Sequence, residues 1–168
     1  MLTLRQSGEL KELIIIMKSQ KYLFVATRVA LGFLMLYAGV SKLMDPEWSA
    51  AGYLSAAKTF PVFYSWLLSP EILPTINLIN EWGLALLGVS LVLGLFVRLS
   101  SVLGAVLMVL YYIPILNFPS VGAHSYIVDE HIIYALLLLY FAAARAGRRF
   151  GLDGIITARL GKLSGLLG

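Results

Sequence analysis

The chain has 168 residues, of which 60% are hydrophobic and 13% charged, with no Cys and a formal charge of +4. Soluble domains carry roughly a quarter charged residues, so an ordinary water-soluble fold is excluded; the lack of Cys excludes disulfide scaffolds, thiol redox catalysis, Fe–S clusters and Cys-ligated zinc. A pI near 9.4 does not point to nucleic acid, because the basic residues bracket apolar blocks instead of interleaving along a polar face.

In chain order, residues 1–21 read as a cytoplasmic amphipathic segment lying on the membrane surface. Leu10, Leu13, Ile14 and Met17 form an i, i+3, i+4, i+7 stripe, with Lys11 and Lys18 available to anionic headgroups. The apolar run 13–17 is too short for a signal-peptide core. Four windows of about 20 mostly apolar residues follow, at 22–43, 76–97, 99–116 and 128–144. They lack the alternation of strands, so the fold class is an all-α integral membrane protein, a four-transmembrane-helix bundle spanning 22–146. Between the first two windows, Asp45-Pro46-Glu47 predicts a helix start, with Asp45 as N-cap. Trp48, Tyr53, Phe60, Phe63, Tyr64 and Trp66 then predict an interfacial or re-entrant segment. The short link around Gly94 to Arg98 makes the second and third helices antiparallel neighbours, and Pro114 should kink or end the third. Residues 147–168 read as a cytoplasmic tail, and no repeat or second domain is visible.

Orientation follows the positive-inside bias. Arg5, Lys11, Lys18, Lys21, Arg98, Arg145, Arg148, Arg149, Arg159 and Lys162 fall on one side, Lys42 and Lys58 on the other. Both termini are therefore expected in the cytoplasm, with the protein multi-pass in the inner membrane.

Charged groups inside apolar helices cost about 2.5–3.5 kcal/mol at the bilayer centre, so each one needs a reason. In the first helix Arg28, Gly32, Met35, Gly39 and Lys42 fall within about 80° of arc at 100° per residue. The glycines invite a close neighbour along this stripe, and Arg28, near the cytoplasmic end, can snorkel to phosphates. Lys42 and Glu81 lie at similar depth near the outer end and are natural ion-pair partners. Glu81 shares a face with Ala85, Gly88 and Val92, while Asp129, Glu130 and His131 open the fourth helix over about 200° of its circumference. Gly104, Met108, Tyr111 and Ile115 mark a stripe on the third helix, with Tyr112 beside it. Two readings stay open for this outer cluster: a salt-bridge lock of Lys42, Glu81 and Asp129, or a binding or catalytic pocket. His124 and His131 with Asp129 and Glu130 match no ligand spacing, so no metal site is assigned.

The order Arg28-Val29-Ala30-Leu31-Gly32, Gly39-Val40-Ser41-Lys42-Leu43, Glu81, Leu93-Gly94-Leu95, Arg98, Asp129 with Ile132 to Ala135, and Arg149-Phe150-Gly151-Leu152-Asp153 resembles the DoxX/DoxD family. The resemblance implies a four-helix membrane protein. It also implies, through its DoxD branch, the membrane subunit of thiosulfate:quinone oxidoreductase, working with a second, smaller subunit. Other members resemble accessory partners of thiol-stress and sulfurtransferase proteins.

Two functions are therefore expected. In the first, the chain is a quinone-linked oxidoreductase subunit whose catalytic groups are Lys42, Glu81, Asp129 and His131. Membrane quinone is its cofactor, bound by Tyr112, Trp48, Phe63 and Trp66. Here Lys42 attracts an oxyanion or donates to a quinone carbonyl, His131 or Tyr112 relays a proton, and the carboxylates tune their neighbours. In the second, the chain is a non-catalytic scaffold or accessory subunit of a larger membrane complex. The bilayer is a partner in both.

Overall fold

The computed structural model describes residues 4–122, 125–149 and 151–160, with side chains at 9, 11–122, 125–149 and 151–157. His124, Phe150, Lys162 and Leu163, and the side chains of Arg5, Leu10, Arg159 and Leu160, on which parts of the sequence reading rested, lie outside the described set.

The described residues form, in chain order, α1 (Leu4–Leu43), α2 (Ala51–Ser55), α3 (Pro61–Leu67), α4 (Leu73–Leu93), α5 (Val97–Ile115), β1 (Leu116–Asn117), β2 (Ser120–Val121), β3 (Ser125–Tyr126), α6 (Glu130–Ala143) and α7 (Leu152–Leu160). Among the described residues three helices are long and apolar enough to cross a membrane: the Lys11–Leu43 part of α1, α4 and α5. In each, 28% of the most apolar window is buried within the protein, so most of that surface faces outward, as expected where lipid is the solvent.

In the elements between the N-terminus and α6, four findings differ from the sequence expectations or go beyond them. First, the N-terminal segment is not a separate surface helix. α1 runs unbroken through residue 21, because no Pro interrupts it and extending an existing helix is far easier than nucleating a second one. Second, α6 has 14 residues, a rise of about 21 Å against a hydrocarbon core of about 30 Å, so a fourth span is not established by length. Third, the α5–α6 connection holds a small antiparallel sheet of order β1-β2-β3, in register Leu116 with Val121 and Ser120 with Tyr126, within an otherwise helical protein. Fourth, Asp45 caps no helix. Its Oδ1 accepts from the Glu47 N–H at 3.1 Å, closing a turn, and the next helix starts at Ala51, its entry held by the Ala50 N–H donating to Asn77 Oδ1 at 3.0 Å.

Other expectations hold in detail. The stripe Arg28, Gly32, Met35, Gly39 is the buried face of α1, and it packs on α4. Contact is backbone-close: a Cβ added at Gly39 would come within 2.7 Å of the Ala85 Cα, and one at Gly88 within 2.6 Å of the Leu36 Cβ. α6 packs against α5, and α4 meets α5 across the tight turn, so Leu31, Met35, Leu84, Leu87, Leu91, Met108, Leu138 and Phe141 form one core. Pro114 sits in the last turn of α5, and its carbonyl accepts from the Lys58 N–H at 2.8 Å.

The molecule thus has two ends. The turn end carries the α4–α5 turn and α7; the loop end carries α2, α3 and the small sheet.

Candidate functional site

At the loop end a cavity of about 430 Å³ opens among α1, α2, α3, α4, α5 and the start of α6. Its walls are mostly apolar and aromatic, including Trp48, Phe63, Tyr64, Leu67 and Ile76, with Lys42, Tyr53, Asn80, Tyr111 and His131 supplying polar groups. This is the size and lining expected of a small-molecule site.

Each polar group is held by its own element. Lys42, in the last turn of α1, donates from Nζ to the Ala38 carbonyl at 3.0 Å and stands 5.4 Å from the centre of the Trp48 ring. A cation near a helix C-terminus and over an indole face is stabilised twice, without a carboxylate. Asp129 is the N-cap of α6: its Oδ1 accepts from the N–H groups of His131 at 3.0 Å and Ile132 at 3.2 Å. Its other oxygen meets His131 Nδ1 at 2.6 Å, so the carboxylate takes Nδ1 and leaves Nε2 for a ligand. The imidazole packs edge-on to the Tyr111 ring at 5.8 Å. The Tyr111 hydroxyl donates to Asn80 Oδ1, and Tyr53 donates to the Tyr111 carbonyl. Tyr64 donates to the Leu110 carbonyl at 3.1 Å. Burial, followed by the charges of Asp129, the Tyr64 phenol and Glu130, pushes the Tyr53 phenol up to about 12; burial also raises Tyr64.

Of the residues chosen from sequence, Lys42, Trp48, Phe63 and His131 line this cavity. Asp129 stands behind His131 as its orienting partner. Glu81, Tyr112 and Trp66 are not among the lining residues. The expected Lys42–Glu81 ion pair does not form: Lys42 turns back onto its own helix and Trp48, while Asn80, one residue and about 100° away from Glu81, takes the cavity position on α4. A lock of Lys42, Glu81 and Asp129 is therefore not what holds this end. Tyr112 donates to the Ile127 carbonyl and ties α5 to the loop before α6. Trp66 points outward, 58% exposed, with its ring 6.1 Å from Phe63. Sequence reasoning missed Asn80, Tyr53 and Tyr64 as cavity residues and left Tyr111 as a stripe residue. A carboxamide within an otherwise apolar helix was the signal available for Asn80.

The turn end holds a second polar cluster, and it corrects the snorkelling expected of Arg28. That side chain is 1% exposed; its Nη1 donates to the Ala146 carbonyl at 2.6 Å, in the field of Asp153. Asp153, fully buried, accepts from the Phe96 N–H at 2.8 Å and the Val97 N–H at 3.1 Å, and its own N–H donates to the Gly94 carbonyl at 2.9 Å. A residue of α7 thereby caps α5, whose own N-cap residue, Phe96, offers no side-chain acceptor. Residues 146–149 and 151–153, assigned from sequence mainly to a tail, are built into the bundle: a Cβ at Gly147 would meet the Asp153 carboxylate, and one at Gly151 would lie 2.9 Å from the Gly94 Cα.

The cluster of Arg28, the α1–α4 glycine seam and the Gly94 turn falls where a family comparison finds its match, since the DoxX family model covers residues 23–116. The chain belongs to the DoxX family. The DoxX match extends from the apolar part of α1 to the end of α5, so it includes Lys42, Trp48, Asn80 and Tyr111 and stops before Asp129, His131 and Asp153. No curated protein and no solved structure matches the chain. As a DoxX protein with three membrane-crossing helices, it is a multi-pass membrane protein in contact with the lipid bilayer.

Proposed function

We propose that this DoxX protein is a quinone-binding membrane subunit of an oxidoreductase, with thiosulfate as the substrate class implied by its resemblance to the DoxD branch. The observation that carries the reading is the pairing of a lysine free of carboxylate contacts with an Asp-backed histidine on one aromatic-walled cavity. The donor set fits a quinone ring: Trp48, Phe63 and Tyr64 supply flat apolar walls, Lys42 Nζ supplies a donor for one carbonyl oxygen, and His131 Nε2 supplies a second when the imidazole is protonated. A bound quinone would supply a sink for two electrons and two protons. Lys42 orients and polarises a carbonyl, Asp129 holds the His131 tautomer, and His131 holds or gives up a proton at Nε2. The chain has no Cys, so a sulfur nucleophile, if the reaction uses one, comes from a partner. The positive-inside bias supports placing the turn end, with Arg98, Arg145, Arg148 and Arg149, on the cytoplasmic side of the inner membrane, with α6 completing a fourth crossing.

The test is binding of a tailless benzoquinone to the full chain in nanodiscs. A hydrogen bond from a charged group contributes about 1.5–3 kcal/mol, so Lys42→Ala should weaken binding roughly tenfold to a hundredfold, with abundance in the membrane unchanged. Unchanged affinity would remove Lys42 from the site. The second reading, a non-catalytic scaffold or accessory subunit, is favoured by the outward-facing Phe60, Val62 and Trp66 at α3. Loss of abundance in Lys42→Ala with no quinone binding by the wild type would support it.

A further inference from the structure

A second cavity, of about 560 Å³, runs along the α4–α5 seam toward the turn end and shares the walls Ile79, Leu107 and Leu110 with the first. Its remaining lining is apolar apart from Ser90 and Ser100, and these two satisfy each other: their hydroxyls lie 2.6 Å apart and Ser90 also donates to the Leu95 carbonyl at 2.5 Å. Nothing in the groove asks for a polar ligand. From Ile79 to Ser90 it follows α4 for about 16 Å.

Gly83 is the decisive residue. Glycine in a helix interior is destabilising relative to Ala, and at Gly39 and Gly88 close helix contact explains its presence. At Gly83 there is no such contact: an added Cβ would meet nothing nearer than Ile79 Cγ2 at 4.0 Å. The missing side chain leaves open groove, in a wall that continues from the polar cavity.

We infer that this groove takes the isoprenoid tail of the quinone whose ring occupies the loop-end cavity, an inference that rests on the proposed function. A polar, aromatic-walled compartment that adjoins a dry apolar one at Ile79, Leu107 and Leu110 matches a ligand with a hydrogen-bonding ring at one end and a hydrocarbon chain at the other. A phospholipid would need to bring a zwitterionic headgroup into a compartment whose charged lining group is a single ammonium, with the imidazole already occupied on one nitrogen by Asp129.

The test uses a benzoquinone carrying a three-unit isoprenoid tail that ends in a diazirine, with the full chain in nanodiscs. After irradiation, labelled peptides are mapped by mass spectrometry. Labelling is expected on groove residues such as Leu86, Leu103 and Val106, displaced by excess tailless benzoquinone. Gly83→Phe should cut it at least tenfold, and Leu103→Trp should do so independently should Gly83→Phe fail to fold. Val102→Phe, exposed on α5 outside the groove, should leave it intact. Labelling spread evenly over the outward faces of α1 and α6, or indifferent to both groove variants, would overturn the tail assignment while leaving the ring site standing. Failure of the wild type to bind the tailless benzoquinone would overturn the ring site and the tail assignment together.

Discussion

Asp129 does two jobs with one carboxylate, capping α6 through Oδ1 and holding His131 through Oδ2, and the two can be separated. Asp129→Asn keeps a capping acceptor but loses the charge that fixes the imidazole, so folded yield should be kept while the benzoquinone binding expected under the proposed function weakens. Asp129→Ala should also lose about 1–2 kcal/mol of stability, measured as a lower unfolding midpoint in detergent. Tyr53 permits a pH test. Its phenol is pushed up to about 12 in the fold against about 10 when unfolded, so its protonated form contributes stability that is intact below pH 10 and lost as pH climbs toward 12. The difference between ultraviolet titrations of the wild type and Tyr53→Phe should show the missing phenol ionising near 12; ionisation near 10 would contradict the desolvation of its hydroxyl, since the side chain as a whole is 38% exposed. At this scale Lys42 and His131 were legible because charge or imidazole in an apolar chain stands out. Glu81 misled for the same reason: polarity identifies a depth, and the angular position that puts Asn80 rather than Glu81 into the cavity depends on how α4 is turned against α1. Tyr53 and Tyr64 could not be told from boundary aromatics until α2 and α3 folded over the cavity.

The glycine seam between α1 and α4 is the contact most easily read from periodicity, because Gly32, Gly39 and Gly88 fall on faces that the helical repeat alone defines. Its tolerance is narrow. A side chain at Gly39 or Gly88 would meet helix backbone, which cannot rotate aside, so Gly39→Leu and Gly88→Leu should each eliminate most of the monodisperse peak in size-exclusion chromatography. Gly52→Ala, where a Cβ meets nothing within 4 Å, should leave the peak unchanged. The ends of elements were less legible than their faces. Pro114 and the Gly94 turn lie where backbone chemistry demands, whereas Asp45-Pro46-Glu47 has the composition of a helix start and closes a turn instead, since Ala50 finds its acceptor on Asn77 of a distant helix. A local signal lost to a long-range hydrogen bond. The two-residue strands after α5 are too short to carry any alternation at all.

At the scale of the whole molecule, the buried charge pair and the candidate site occupy opposite ends. The loop end keeps a lysine out of ion pairs and encloses a cavity; the turn end buries Arg28 and Asp153 within closely packed glycines. Asp153→Ala removes both the carboxylate facing a buried guanidinium and the cap of α5, and should cost about 3–5 kcal/mol. Arg28→Met combined with Asp153→Ala should recover part of that loss, because neither charge is then buried alone; strict additivity in the double-mutant cycle would show that the two do not interact. The sequence marked Arg28 and the Gly-Leu-Asp run as a family resemblance, yet their meeting was invisible in it, as 125 positions separate Arg28 from Asp153. That separation also sets an order of events during biosynthesis. The α4–α5 hairpin can enter the membrane long before Asp153 is translated, with the first amides of α5 still awaiting their acceptor. The bundle closes only when the ribosome has delivered Asp153, so a nascent protein truncated before this residue would present quality-control proteases with an open turn and an arginine lacking its carboxylate.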